Sequence, residues 1–151
     1  MTGWPSWRWS AVADYASGML YAGCLAAPAI RIIYPGPPPR PEEFYGFMAL
    51  LMGWGYIPHG EVSWLANPML VSAWVCNRLS HHKAALALAL AAFFLALQFL
   101  AGGTFGQIEL LPGYYLWLGA ILLAAVSGGV GVAASDRERA RLAALGARHE
   151  N

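Results

Sequence analysis

The chain has 151 residues, enough for one domain and short for two. Hydrophobic residues make up 58% and charged residues 11%, against about 25% charged in a soluble domain, so a water-soluble globule of this length would carry more apolar surface than it can bury. A formal net charge of +1 and the lack of a basic stripe among aromatics exclude a nucleic-acid footprint, and leave membrane lipids as the expected surroundings.

The first ten residues, MTGWPSWRWS, hold three Trp and Arg8 and read as an interfacial lead-in. A first membrane span is predicted over 11–34. It is rich in small residues, with Asp14 and Arg31 near its ends. Pro28 lies inside it and frees the Cys24 carbonyl, so a kink is expected there. Residues 35–43, PGPPPRPEE, read as a stiff proline connector that makes neither helix nor sheet. The apolar segment 44–58, FYGFMALLMGWGYIP, contains three glycines and is too short to cross; a short re-entrant or interfacial helix is expected. After the polar hinge His59-Gly60-Glu61, a second span is predicted over 62–79, a turn over 80–83 (SHHK) and a third span over 84–101. A glycine-rich loop over 102–113 leads to a fourth span, 114–134. The arginine-rich tail, 135–151, is expected to continue as helix on anionic headgroups.

The fold class expected is therefore all-α, an integral membrane helical bundle with four transmembrane helices plus a short re-entrant or interfacial helix. A single domain covers 1–134 and a cytoplasmic tail 135–151. Five transmembrane helices are the alternative, if 44–58 crosses. With four spans, Arg8, Arg78, Lys83, Arg137, Arg139, Arg141 and Arg148 share one side and Arg31 and Arg40 take the other; with five, only Arg8 stands opposite the rest. Both arrangements put the C-terminus in the cytoplasm of a multi-pass protein. Segment length and glycine content favour four.

Small residues predict helix contacts. Ala85, Ala89, Ala92 and Ala96 form one line on the third span, and Ala120, Ala124 and Gly128, with Ser127 and Gly131, form others on the last. These two spans are expected to pack on each other. Gln98 is expected to hydrogen-bond between helices.

Few residues carry chemistry. Cys24 and Cys76 lie apart with no ligand spacing and read as buried thiols; Tyr21-Ala22-Gly23-Cys24 is a poor lipobox. His59 and Glu61 flank Gly60 and are candidates for a metal or proton site, but two ligands are too few for zinc and no third follows by spacing. His81 and His82 are adjacent and point apart on a helix, which excludes joint haem ligation. No catalytic motif is present. No catalytic, cofactor-binding or metal-binding residue is assigned, and nothing speaks for an enzyme.

The stretch WLANP, 64–68, is the most informative. Asn is a strong N-cap and Pro is favoured at the first helical position, so Asn67-Pro68 reads as a helix start inside an apolar segment. Trp64, Asn67, Pro68, Tyr114, Tyr115 and Trp117 are expected to meet at one depth. There the Asn67 amide and the tyrosine hydroxyls would saturate the backbone groups left open by Pro68 and the short segment. The competing reading makes this cluster a pocket for a lipid or small ligand. Asn77 and Arg78, near a span end, read as structural.

The motifs WLANP (64–68) and GYYLW (113–117), with Pro28 and Gly53-Trp54-Gly55, resemble a pattern in small bacterial multi-spanning inner-membrane proteins. The resemblance covers most of residues 15–130 and implies architecture and an inner-membrane location but no activity. Two functions of different class follow. One is a structural or accessory subunit acting through helix packing, its partner a second copy or another membrane protein. The other is a small transporter or a lipid- or small-ligand-binding membrane protein with its site at Asn67-Pro68.

Overall fold

The computed structural model describes residues 6–34, 37–38, 40–101 and 107–149. Helix α1, Ser6–Ala26, leads into strand β1, Pro28–Tyr34, and strand β2, Arg40–Tyr45. A short helix α2, Gly46–Met52, runs into a 3-10 turn over Gly53–His59, and a second 3-10 turn, Ser63–Leu65, opens helix α3, Ala66–Arg78. Helix α4, His82–Ala101, strand β3, Gln107–Leu110, and helix α5, Pro112–His149, complete the chain.

This corrects the all-α expectation. The three strands form one antiparallel sheet in the order β2-β1-β3. Residues 11–34 do not make one kinked helix, because α1 stops at Ala26 and the chain leaves as a strand. Pro28 drives the residue before it out of helical geometry, and Ile30, Ile32 and Ile33 then supply β-branched side chains that favour a pleated surface. Nor is 35–43 wholly a connector, since β2 begins at Arg40. Pro41 is tolerated there because β2 is an edge strand, where a missing N–H leaves no gap in the ladder. In the predicted loop 102–113, residues 107–110 form β3 against β1.

Four transmembrane helices are also not what forms, nor five. Among the described residues one helix, α5 over Pro112–Ala147, is long and apolar enough to cross a membrane. Helix α3 has 13 residues, about 20 Å at 1.5 Å per residue, against a hydrocarbon layer of about 30 Å. Helix α1 has 21 residues but carries Arg8, Asp14 and a row of hydroxyls. The apolar stretch of α4 over His82–Gln98 is shorter than a span. The segment 44–58 is split between the end of β2, α2 and the first 3-10 turn; α2 has 7 residues, about 10 Å of helix. The tail continues α5 as helix without interruption to His149, as its sequence leads one to expect.

Small residues set the core. Ala89, Ala92 and Ala96 of α4, Ala120 and Ala124 of α5, and Ala66, Leu70 and Ala73 of α3 are buried together. A side chain at Gly128 would stand 2.9 Å from the Leu86 backbone nitrogen, so α4 and α5 touch backbone to backbone there. Gln98 is exposed on α4. Two more glycines seat the sheet on the bundle. A Cβ at Gly113 would lie 2.8 Å from the Pro28 carbonyl oxygen, and one at Gly46 would overlap the Cys24 carbonyl. The start of α5 and the start of α2 are thus both pressed against the corner where α1 becomes β1.

Across the sheet, Arg31 is the register partner of both Glu43 and Glu109. Its guanidinium is 2.6 Å from Glu43 and 2.7 Å from Glu109. The hydrogen bond to Glu43, then that to Glu109, raises the arginine's pKa above its ordinary value.

Candidate functional site

The site is built around Asn67, in the first turn of α3. Pro68 has no N–H, so the carbonyl four residues earlier, that of Trp64, loses its helical donor. Asn67 Nδ2 donates to that same carbonyl at 3.2 Å. Asn67 is not the N-cap expected from sequence. Leu65 holds the cap position with no side-chain bond, and the Asn67 amide instead reaches back over the turn. Its Oδ1 accepts from the Tyr21 hydroxyl of α1 and from Trp117 Nε1 of α5, each at 3.1 Å. One side chain therefore ties three helices together and satisfies its own helix start.

Trp64 occupies the next layer. Its Nε1 donates to the Leu50 carbonyl at 2.7 Å, and its ring fills the space a side chain on Gly53 would need. This fixes α2 and the turn after it over the start of α3. Glu61 Oε1 accepts the Ser63 N–H at 3.1 Å, and Gly60, at φ 87°, closes the turn ahead of it. The side chain of His59 lies outside the described part of the structure.

The other expected members divide. Tyr114 is buried and donates to the Ala96 carbonyl of α4 at 2.8 Å. Its ring meets Trp117 edge-on at 5.8 Å. Trp117 joins the Asn67 hub. Pro68 is exposed. Tyr115 is exposed and touches Tyr114 with ring centres 5.8 Å apart. The hydroxyl that reaches Asn67 is that of Tyr21, which the sequence reading left out.

Between this layer and the sheet lies a cavity of about 380 Å³. The end of α1, all three strands, α2, the 60s turn and the start of α5 enclose it. Its walls are mostly aliphatic and aromatic, with Glu61, Ser63 and Asn67 as polar points. That size and character lie within the range of small-molecule sites, about 300–1,000 Å³.

A second polar assembly sits toward the tail end of the bundle. Asn77 Nδ2 lies 2.7 Å from Ser127 Oγ, 2.8 Å from Asp14 Oδ2 and 3.2 Å from Ser10 Oγ. His82 Nδ1 meets Asn77 Oδ1 at 2.6 Å, which makes the imidazole the donor. Ser127 Oγ donates in turn to the Ser10 carbonyl at 2.8 Å. All but His82 are buried. This group was not anticipated, although a signal for it was present. Ser10, Asp14, Ser17 and Tyr21 recur every three or four residues, so they share one face of α1. Every one of them hydrogen-bonds to another helix.

Among the described residues no group of three or more His, Cys, Asp or Glu could hold a metal ion. No protein-family model matches the chain, nor does any curated protein or solved structure.

Proposed function

We propose that the chain is a small membrane-anchored protein that binds an apolar small molecule in the cavity between its sheet and its helices. The cavity carries this reading. It is preformed, mostly apolar, and provided with a few polar groups whose positions are held by hydrogen bonds, as ligand sites are.

Two observations support the membrane placement, the length and apolarity of α5 and the side-chain distribution of α1. On α1 the buried row is Ser10, Asp14 and Ser17, while Val12, Tyr15 and Met19 are exposed. On α3 the exposed side chains include Val71 and Val75, with Leu79 just after its end; on α5, Leu122 and Val126. On α1 polar groups face inward and large apolar groups outward, which suits a lipid solvent. The sheet then stands at one face of an inner membrane and the tail in the cytoplasm. Ala89, Ala92, Ala96, Ala120 and Ala124 are buried within this chain, so these small-residue lines lend no support to the accessory-subunit reading.

The test is binding of a neutral apolar fluorophore, 1-N-phenylnaphthylamine, to the purified protein in non-ionic detergent. Saturable binding is expected, and Ala49→Trp, which fills the cavity, abolishes it. Binding that does not saturate, or that survives the filled cavity at full strength, refutes the proposal.

A further inference from the structure

We propose that the ligand of this cavity is a hydrophobic cation, an organic amine or onium ion with aromatic or branched apolar substituents. The inference rests on the cavity being a ligand site at all.

The charge pattern of the walls carries it. Among the described lining residues Glu61 is the one charged side chain; none is Lys, Arg or His. One carboxylate oxygen of Glu61 is held by the Ser63 N–H, so the group is oriented rather than loose. Around it the cavity is lined by Tyr56, Trp64, Tyr114 and Trp117. Aromatic faces attract cations through the ring quadrupole, most strongly where water is excluded. A carboxylate beside apolar walls adds a direct Coulomb attraction that is weakly screened there.

The same features reject other classes. A fatty acid or phosphate ester would bring an anion against Glu61 with no Lys, Arg or His among the described lining residues to receive it. A neutral molecule can enter the cavity but leaves the carboxylate facing an apolar surface, which costs its hydration and makes its binding weaker than that of a cation of the same shape. A cation with apolar substituents satisfies both parts of the wall.

The experiment compares two ions of nearly the same shape and opposite charge, tetraphenylphosphonium and tetraphenylborate. Each is titrated against bound 1-N-phenylnaphthylamine on the whole protein in non-ionic detergent. The phosphonium is expected to displace the fluorophore at a concentration about tenfold lower than the borate. In Glu61→Gln, which keeps the oxygen that Ser63 requires, the two ions come within about twofold of each other while the fluorophore still binds saturably. Equal potency in the unaltered protein, or a preference that survives in Glu61→Gln with fluorophore binding intact, overturns the cation assignment while leaving the cavity a binding site. If the neutral fluorophore fails to bind the unaltered protein, both proposals fall together. If Glu61→Gln does not fold, Tyr56→Leu replaces it, with a partial loss of phosphonium preference expected and an unchanged preference counting against the proposal.

Discussion

Asn67 donates to the carbonyl of Trp64, and Trp64 is the residue that Pro68 leaves without a helical donor. The side chain beside the proline thus replaces the hydrogen bond the proline cannot make. Restoring the N–H with Pro68→Ala should therefore make the Asn67 amide partly redundant. Asn67→Ala alone removes the side-chain donor to the Trp64 carbonyl and leaves the Tyr21 hydroxyl and the Trp117 N–H without their acceptor, and a loss of about 2 kcal/mol is expected. In the Pro68→Ala background the same change should cost about 1 kcal/mol less. Unfolding of all four proteins in detergent measures the coupling, and strict additivity would show that the carbonyl is satisfied in some other way.

Gly53 and Trp64 form a second coupled pair. The indole occupies the place of a side chain at position 53, and the contact is with the root of the ring rather than a flexible tip. Gly53→Ala must move the indole and break its bond to the Leu50 carbonyl. Trp64→Phe removes that bond alone, at about 1 kcal/mol. Gly53→Ala is expected to cost more than Trp64→Phe, and to become nearly harmless in a Trp64→Leu protein. Thermal unfolding of Gly53→Ala, Trp64→Phe, Trp64→Leu and the Gly53→Ala/Trp64→Leu double variant decides it; a Gly53→Ala cost unchanged by Trp64→Leu would place the strain elsewhere.

At the other end of the bundle, Asn77 is bonded to groups from α1, α4 and α5. Asn77→Leu is nearly isosteric but leaves a buried carboxylate and two buried hydroxyls without its amide, and a loss of about 3 kcal/mol is expected. Much of that cost belongs to Asp14, so Asp14→Leu combined with Asn77→Leu should recover about half of it. A double variant no more stable than Asn77→Leu would show that the carboxylate is not the group left stranded.

These positions show what a single sequence exposes. Proline and asparagine side by side in an apolar run announced a helix start, because both act within one turn of backbone. The partners of that asparagine were another matter. Tyr21 lies 46 residues away, and nothing local marks a tyrosine as one that will bond across helices. The small-residue lines of α4 and α5 were legible because their period is a property of each helix alone, and they do pack together. The sheet was missed because apolarity outweighed β-branching in reading 28–34, and because β2 and β3 are short segments that become strands only by pairing with β1. The network at Asn77 joins four helices, and its α1 stripe was hidden among the small residues that surround it.

The row of Arg31, Glu43 and Glu109 is an exposed device, and its contribution should follow ionic strength. Arg31→Gln is expected to lower the melting temperature at low salt, with the difference shrinking as salt rises. Glu43, and then Glu109, push the arginine's pKa upward. The sign follows: a raised folded pKa gives stability that is complete below the arginine's ordinary value and lost only above it. The effect of Arg31→Gln should therefore be the same at neutral and moderately alkaline pH. A difference that grows with salt would show the row to be held by packing instead.

The placement of α5 across the membrane can be tested at two exposed positions. Glu42 lies on the edge strand of the sheet and Leu145 near the end of the tail. If α5 crosses with the arginine-rich end in the cytoplasm, these two positions face opposite compartments. With Cys24 and Cys76 replaced by Ala, Glu42→Cys should react in intact cells stripped of their outer barrier when a membrane-impermeant thiol reagent is added outside. Leu145→Cys should react only after the inner membrane is opened. Changing Arg137, Arg139 and Arg141 together to Glu removes most of the charge that holds the tail inside, so a fraction of Leu145→Cys should then become reactive from outside. Equal labelling of both positions from one side, with the arginines intact, would mean that α5 does not cross and that its apolar length packs along a surface.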